Sequence, residues 1–181
     1  MTFSPDTYAR ALRFAAEAHN AQRVPGSDLP YITHTTSVAA EILAVAAKDT
    51  FDVDLAVTCA LLHDTLEDTS ASEDEITRLF GVAVARGVRA LSKDTRLPKE
   101  EQMADSLARI QQEPREVSMV KLADRITNLA EPPAYWSREK RIKYREEARQ
   151  ILAALGNTSA PLAARLEAKI EAYGSYIGEA S

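Results

Sequence analysis

The chain predicts an all-α, single-domain fold, a helical bundle of roughly eight to ten helices. Three observations lead there. Apolar residues make up 45% of the 181 positions, with Ala and Leu dominant, 6 Gly and only 6% aromatics, a balance that favours helix over sheet. Those apolar residues recur at helical spacing between cap and breaker residues. No β-hairpin, repeat or low-complexity tract interrupts the pattern. The length suits one compact domain over residues 1–181, with a sizeable core.

Ser4-Pro5 reads as the N-cap and first residue of an opening helix that carries Tyr8, Leu12, Ala15 and His19 at helical spacing. Asn20 to Pro30, with Pro25-Gly26-Ser27-Asp28, is a loop. A second helix is expected from Thr33 to about Ala47, with Val38, Ile42 and Val45 inward, and a third from near Asp54 into the doublet His63-Asp64. Ser72-Glu73-Asp74-Glu75 matches a capping box, and the short helix it starts ends at Gly81. Val82 to Leu91 is another helix, Lys93 to Pro98 a charged loop, and Glu100 to Gln111 a further helix. Pro114 opens a helix through Val117, Val120, Leu122 and Asp124, which Glu131-Pro132-Pro133 stops. Ser137 caps a long helix to Leu155, and Gly156 follows it. The last helix, over 159–177, starts at Ser159-Ala160-Pro161. Its stripe of Leu162, Leu166, Ile170 and Tyr173 is expected to pack on the body rather than on a second copy.

The net charge of −5 argues against general nucleic-acid binding, which needs a basic face. It leaves room for a small polyanion, because a metal and a few local cations reverse the field inside a pocket. Cys59 is the only cysteine, so no internal disulfide forms, and its apolar surroundings read as a buried small side chain. No apolar run reaches the ~18 residues that span a membrane. The N-terminal stretch, with Asp6 and no long apolar run, does not read as a secretory signal. A cytoplasmic location is the expectation.

Of three histidines, two frame the chemistry. His34 ends Pro30-Tyr31-Ile32-Thr33-His34, His63 and Asp64 end Leu61-Leu62-His63-Asp64, and Asp124 lies in Val120-Lys121-Leu122-Ala123-Asp124-Arg125. A lone His is usually a structural hydrogen-bonder and a lone Asp a solvated cap. His34, His63, Asp64 and Asp124, all in apolar contexts, instead read as a mixed nitrogen and oxygen set for a divalent ion with open positions. Neighbours within one helix diverge by about 100°, so His63 and Asp64 share an ion only if the helix ends or bends there. Glu67 and Asp68 lie one turn beyond, where carboxylates oppose the macrodipole but suit metal-bound water. His19, on the apolar face of the first helix, reads as structural. The set points to metal-assisted hydrolysis of a phosphate ester. No Gly-x-Ser-x-Gly elbow and no Gly-rich phosphate loop compete with it. Cations for the phosphates are available in Arg23, Lys93, Lys99 and Lys140, with Arg23 preferred; Lys140 lies one turn before Tyr144.

These residues sit in blocks that resemble the RelA/SpoT-type hydrolase domain. His19-Asn20-Ala21-Gln22-Arg23 with Leu29 to His34 resembles its opening, and Ala60 to Thr69, containing His63-Asp64 and Glu67-Asp68, resembles its signature block. Val120 to Arg125 with Asn128-Leu129 resembles the third block, and Trp136-Ser137 with Tyr144 the fourth, so the likeness covers about residues 8–155. The chain is thus similar to stand-alone small alarmone hydrolases of the HD superfamily. That resemblance implies one Mn²⁺ held by His34, His63, Asp64 and Asp124, with Glu67 and Asp68 activating water. It implies removal of the 3′-pyrophosphate of (p)ppGpp, giving GDP or GTP. Arg23 would pack on the base, Asn128 and Tyr144 would contact the nucleoside, and Lys121 would serve as a pocket cation or a structural residue. A homodimer is a further partner expectation; no nucleic acid and no membrane are expected as partners.

Departures from the family pattern fall on the substrate pocket. Val24 stands where the family has a second basic residue after Arg23, Thr35 where a Pro follows the first ligand histidine, and Ala130 and Glu131 where an Arg and a hydroxyl residue follow Asn128-Leu129. Lys99-Glu100-Glu101-Gln102 stands where the family carries Glu-Arg-Lys. They motivate (p)ppApp as a substrate and, as an alternative, another nucleotide such as NADPH through its 2′-phosphate or a nucleoside monophosphate; a non-catalytic nucleotide sensor is a separate alternative. The intact Glu67-Asp68 pair argues against the sensor.

Overall fold

The computed structural model describes residues 3–178. Among them are ten α-helices and two short 3-10 turns, and no strand. The helices are α1 (Pro5–Ala18), α2 (Ile32–Val45), α3 (Val53–Leu62), α4 (Thr65–Asp68), α5 (Glu73–Phe80), α6 (Val82–Leu91), α7 (Lys99–Ile110), α8 (Arg115–Asn128), α9 (Arg138–Leu155) and α10 (Ala160–Ala172).

Short polar side chains start several of them. Ser4 Oγ accepts from Thr7 N at 3.2 Å, Ser72 Oγ from Glu75 N at 3.2 Å and Ser137 Oγ from Lys140 N at 3.2 Å, each satisfying an N–H that the helix leaves open. α3 starts one residue earlier than the sequence suggests. Asp52 is its cap, accepting from Leu55 N at 3.1 Å, while Asp54 accepts from Ser4 N at 2.8 Å and ties the start of α1 to α3. Gly81, at φ 90°, ends α5 and turns the chain into α6.

α8 runs through the centre, against α2, α3, α6, α9 and α10. Val117, Met119, Val120, Leu122, Ala123 and Ile126 are all fully buried, so this helix is apolar around most of its surface, as a central helix must be. α6 comes close enough to α3 and α8 that a side chain on Gly87 would meet Cys59 Sγ at 2.9 Å and Val117 Cγ2 at 3.0 Å. α10 lies on α8 and α9, with Leu162, Leu166, Ile170 and Tyr173 buried. Its α-helical part stops at Ala172, and a 3-10 turn continues over Tyr173–Ile177. Arg138 Nε donates to Ile177 O (3.0 Å) and Arg141 Nη1 to Tyr176 O (3.2 Å), which fastens that turn to α9.

Two local features place the chemistry. The loop after α1 folds back on itself through an isolated antiparallel bridge between Arg23 and Pro30. Val24 N donates to Leu29 O at 2.9 Å and Tyr31 N to Gln22 O at 3.1 Å. That fixes the entry into α2. The second feature is the end of α3 at Leu62, where the Thr65 hydroxyl donates to the Leu62 carbonyl at 2.7 Å and the chain breaks before the single turn of α4.

Candidate metal centre

That break lets His63 and Asp64, adjacent in sequence, face the same point. His63 Nε2 lies 2.9 Å from Asp64 Oδ2. His34, in the first turn of α2, brings its Nε2 to 3.3 Å from His63 Nε2, and Asp124, in the middle of α8, brings Oδ1 to 3.4 Å from His34 and 3.6 Å from His63. His34, His63 and Asp124, all buried, offer ligand atoms within 4.8 Å of one another. Asp64 Oδ2 lies at 3.8 Å from His34 Nε2. The four candidates thus converge from three distant stretches of chain.

Hydrogen bonds set how they are presented. His63 Nδ1 lies 2.8 Å from Ala60 O. A carbonyl only accepts, so Nδ1 carries the proton and the Nε2 lone pair of the neutral ring turns into the cluster. Asp124 is held within its own helix: Lys121 Nζ donates to Oδ2 at 3.2 Å and Asn128 Nδ2 to Oδ1 at 2.5 Å. The Tyr31 hydroxyl donates to Asp64 Oδ2.

The field inside favours positive charge. Burial alone would lower His63, but the Asp64 and Asp124 carboxylates overcome it and hold the imidazole well above its ordinary range. Burial likewise pushes Asp124 up, yet Lys121 and the two imidazoles keep it well below the usual carboxylate value. Two ionised carboxylates facing two ring nitrogens form a donor set that fits a divalent cation, which would compete with protons for the same nitrogens.

A cleft opens on both sides of this cluster. One lobe, about 280 Å³, is lined by Lys93, Lys99, Lys121 and Arg125 together with Glu67 and Asp68. The other, about 420 Å³, is lined by Val24, Pro25, Leu29, Pro133 and Trp136 beside His34. Asn128 and Tyr144 line both. Glu67 is clamped by Lys93, which donates through its backbone N (2.9 Å) and its Nζ (2.8 Å). Asp68 accepts from Gln22 Nε2 at 3.2 Å.

Not every expected residue reaches the cleft. Arg23 lines neither lobe; it is exposed, and its Nη1 donates to Gln22 O at 3.4 Å. Its neighbour Val24 lines the apolar lobe instead. Lys140 also stays outside the lining, because its ammonium sits over the Trp136 ring, 4.1 Å from the centroid, a cation–π contact that spends the charge on the outer face of α9. Lys121 donates to Asp124 and also lines the first lobe, a position compatible with both alternatives for it. Three residues carry more of the site than sequence reasoning gave them. Tyr31 braces Asp64 and Gln22 braces Asp68. The buried Arg125 lays its guanidinium 4.1 Å from the centroid of the Tyr144 ring. Tyr31 stands one turn before His34, a spacing that could have flagged it. Nothing local links Arg125 to Tyr144.

Comparison with known proteins gives a consistent picture. The HD domain family matches residues 11–166. A zebrafish (Danio rerio) protein named guanosine-3′,5′-bis(diphosphate) 3′-pyrophosphohydrolase MESH1 is 35% identical over 161 residues, covering 86% of this chain and 88% of its own. The human (Homo sapiens) protein of that name is 36% identical over 157 residues, with 84% and 86% covered. A solved structure, described as a metazoan ortholog of SpoT that hydrolyzes ppGpp and plays a role in starvation responses, superposes with a TM-score of 0.79 at 30% identity, over 98% of this chain and 99% of that one.

Proposed function

The chain belongs to the HD domain family, and from that membership together with the cleft we propose a divalent-metal-dependent hydrolase that removes the 3′-pyrophosphate of (p)ppGpp. One observation carries the reading: the His34, His63, Asp64 and Asp124 cluster lies where a lysine-lined lobe meets an apolar one. A bisphosphorylated nucleotide has that same two-part chemistry, a charged end and a flat apolar one. The activity for which the MESH1 relatives are named, at 35% and 36% identity, supports it.

In this reading His34, His63, Asp64 and Asp124 hold the ion, Mn²⁺ by resemblance to the RelA/SpoT-type domain. Bound there, it would screen phosphoryl charge and acidify water. The protein's own groups do the rest. Glu67 and Asp68 orient the attacking water and take its proton at a carboxylate oxygen. The water oxygen bonds to the phosphorus on the 3′ side, the bond from that phosphorus to the 3′ oxygen breaks, and the 3′ oxygen leaves as a hydroxyl on taking up a proton, the one held by the carboxylate restoring the balance. Pyrophosphate and GDP or GTP are the products. Lys93, Lys99 and Lys121 neutralise phosphate oxygens. Trp136 and Tyr144 pack against the nucleoside, and Asn128 hydrogen-bonds it. Arg23 and Lys140, outside the lining, act from the rim. A homodimer and a cytoplasmic location belong to the same reading.

The test is product analysis by chromatography with ppGpp and Mn²⁺. GDP and pyrophosphate in equal amounts are expected, with no turnover after chelation or in His63→Ala and Asp64→Ala. Glu67→Ala should bind metal yet lose at least about 100-fold in kcat, the ordinary scale of general-base catalysis; unchanged turnover would remove Glu67 from the mechanism.

A second reading concerns the base. Three of the departures from the family pattern, Val24, Ala130 and Glu131, line the apolar lobe. They favour (p)ppApp as an additional substrate, or another nucleotide such as NADPH through its 2′-phosphate. A panel of ppGpp, ppApp, NADPH and nucleoside monophosphates separates these by kcat/KM. Fastest cleavage of an ordinary monophosphate would reject the alarmone assignment.

A further inference from the structure

His19 is buried at the C-terminal end of α1, 3% exposed, and its ring lies outside the metal cluster. Its Nδ1 is 2.6 Å from Gln22 Oε1, and Gln22 Nε2 is 3.2 Å from Asp68 Oδ2. The polarity of this relay is set from one end. An ionised carboxylate only accepts, so Gln22 must turn its NH₂ toward Asp68 and its oxygen toward His19. His19 Nδ1 must therefore donate, and its Nε2 is left buried with no partner among the described residues.

The base of the relay is rigid. His19 N donates to Ala15 O at 2.9 Å and Gln22 N donates to His19 O at 2.9 Å, so both residues sit in one hydrogen-bonded turn. The His19 ring also packs on Tyr31, with centroids 4.8 Å apart. The other end is not rigid by itself. Asp68 is the last residue of a four-residue helix, and among the described residues Gln22 is the side chain that hydrogen-bonds its carboxylate. Desolvation, with Asp64 and Glu67 close by, raises the Asp68 carboxyl above its ordinary value, and the Gln22 hydrogen bond works against that rise.

We propose that His19 and Gln22 are positioning residues for Asp68, aiming its carboxylate into the cleft through a directional His19–Gln22–Asp68 hydrogen-bond relay. This rests on the reading that Asp68 activates the attacking water.

The experiment is steady-state hydrolysis of ppGpp with Mn²⁺, with bound metal by atomic emission and thermal unfolding measured on each variant. Gln22→Met should lower kcat about tenfold, the effect of one lost positioning hydrogen bond, with KM and metal content unchanged. Gln22→Glu, which turns an acceptor toward Asp68, should lower it further. His19→Asn, which keeps an N–H near the position of Nδ1, should retain more kcat than His19→Leu. Should His19→Leu fail to fold, the Gln22 variants carry the test. The double variant Gln22→Met with Asp68→Asn should be no slower than Asp68→Asn. If Asp68→Asn is slow while Gln22→Met matches wild type, or if the two losses simply multiply, the relay is wrong and the role of Asp68 stands. Wild-type kcat in Asp68→Asn instead overturns the water-activating role, and the relay with it.

Discussion

The Tyr31 ring lies between those of His19 and His34, with centroids 4.8 and 5.3 Å away, and its hydroxyl donates to Asp64. A carboxylate held this way loses less freedom when it binds a cation. Tyr31→Phe keeps the ring packing and removes the donor. Metal affinity, measured by competition with a fluorescent chelator, should fall about 10-fold or more; an unchanged affinity would make the hydroxyl ornamental. Cys59 shows the reverse case, a reactive side chain made inert. Burial, then the charges of Glu116, Glu113 and Asp52, push its thiol up to about 12. It therefore stays protonated at neutral pH. A thiol reagent should leave the native protein unmodified and label one cysteine only after denaturation. The bland reading of Cys59 came from its apolar run, and its buried place agrees with it. His19 read as structural for the same reason, because a hydrogen bond to Gln22 leaves no mark in the spacing.

Helix boundaries were largely legible, because they rest on local chemistry. Ser4, Ser72 and Ser137 cap where the sequence places them, and Gly81 ends α5. Ser137→Ala should cost about 1 kcal/mol of stability. The close passage of α6 against α3 and α8 was not legible. Gly87 inside a helix looks like a weakness until its neighbours, Cys59 Sγ at 2.9 Å and Val117 Cγ2 at 3.0 Å, are seen. Both belong to well-packed helices, so a methyl group there has nowhere to go. Gly87→Ala should lower the free energy of unfolding in urea by about 1–3 kcal/mol despite the better helix propensity of Ala. A stabilised variant would mean that α6 shifts freely. The end of α3 was legible only as a condition, since His63 and Asp64 could share an ion if the helix stopped. Thr65 stops it.

Across the whole molecule, the candidate ligands tie together α2, the α3–α4 junction and α8, segments separated by many residues. An ion bound there stabilises the folded state alone, because the unfolded chain does not bring the four groups together. At a free concentration of 100 times Kd the gain is about 2.7 kcal/mol. Differential scanning calorimetry should show a higher Tm with Mn²⁺ than with chelator, and His63→Ala should abolish the difference. Equal Tm values in wild type would argue against a metal at the cluster. The all-α class, the caps and the candidate ligand residues were legible in the sequence itself, since periodicity, capping and donor type are properties of neighbouring residues. Which cations reach the cleft was decided only by the tertiary structure. Arg23 and Lys140 have the right charge but line neither lobe, whereas Lys93, Lys99 and Arg125 line the first. The physical reason is that a side chain's reach depends on how distant helices pack, and long-range packing has no period that a single stretch of sequence can display.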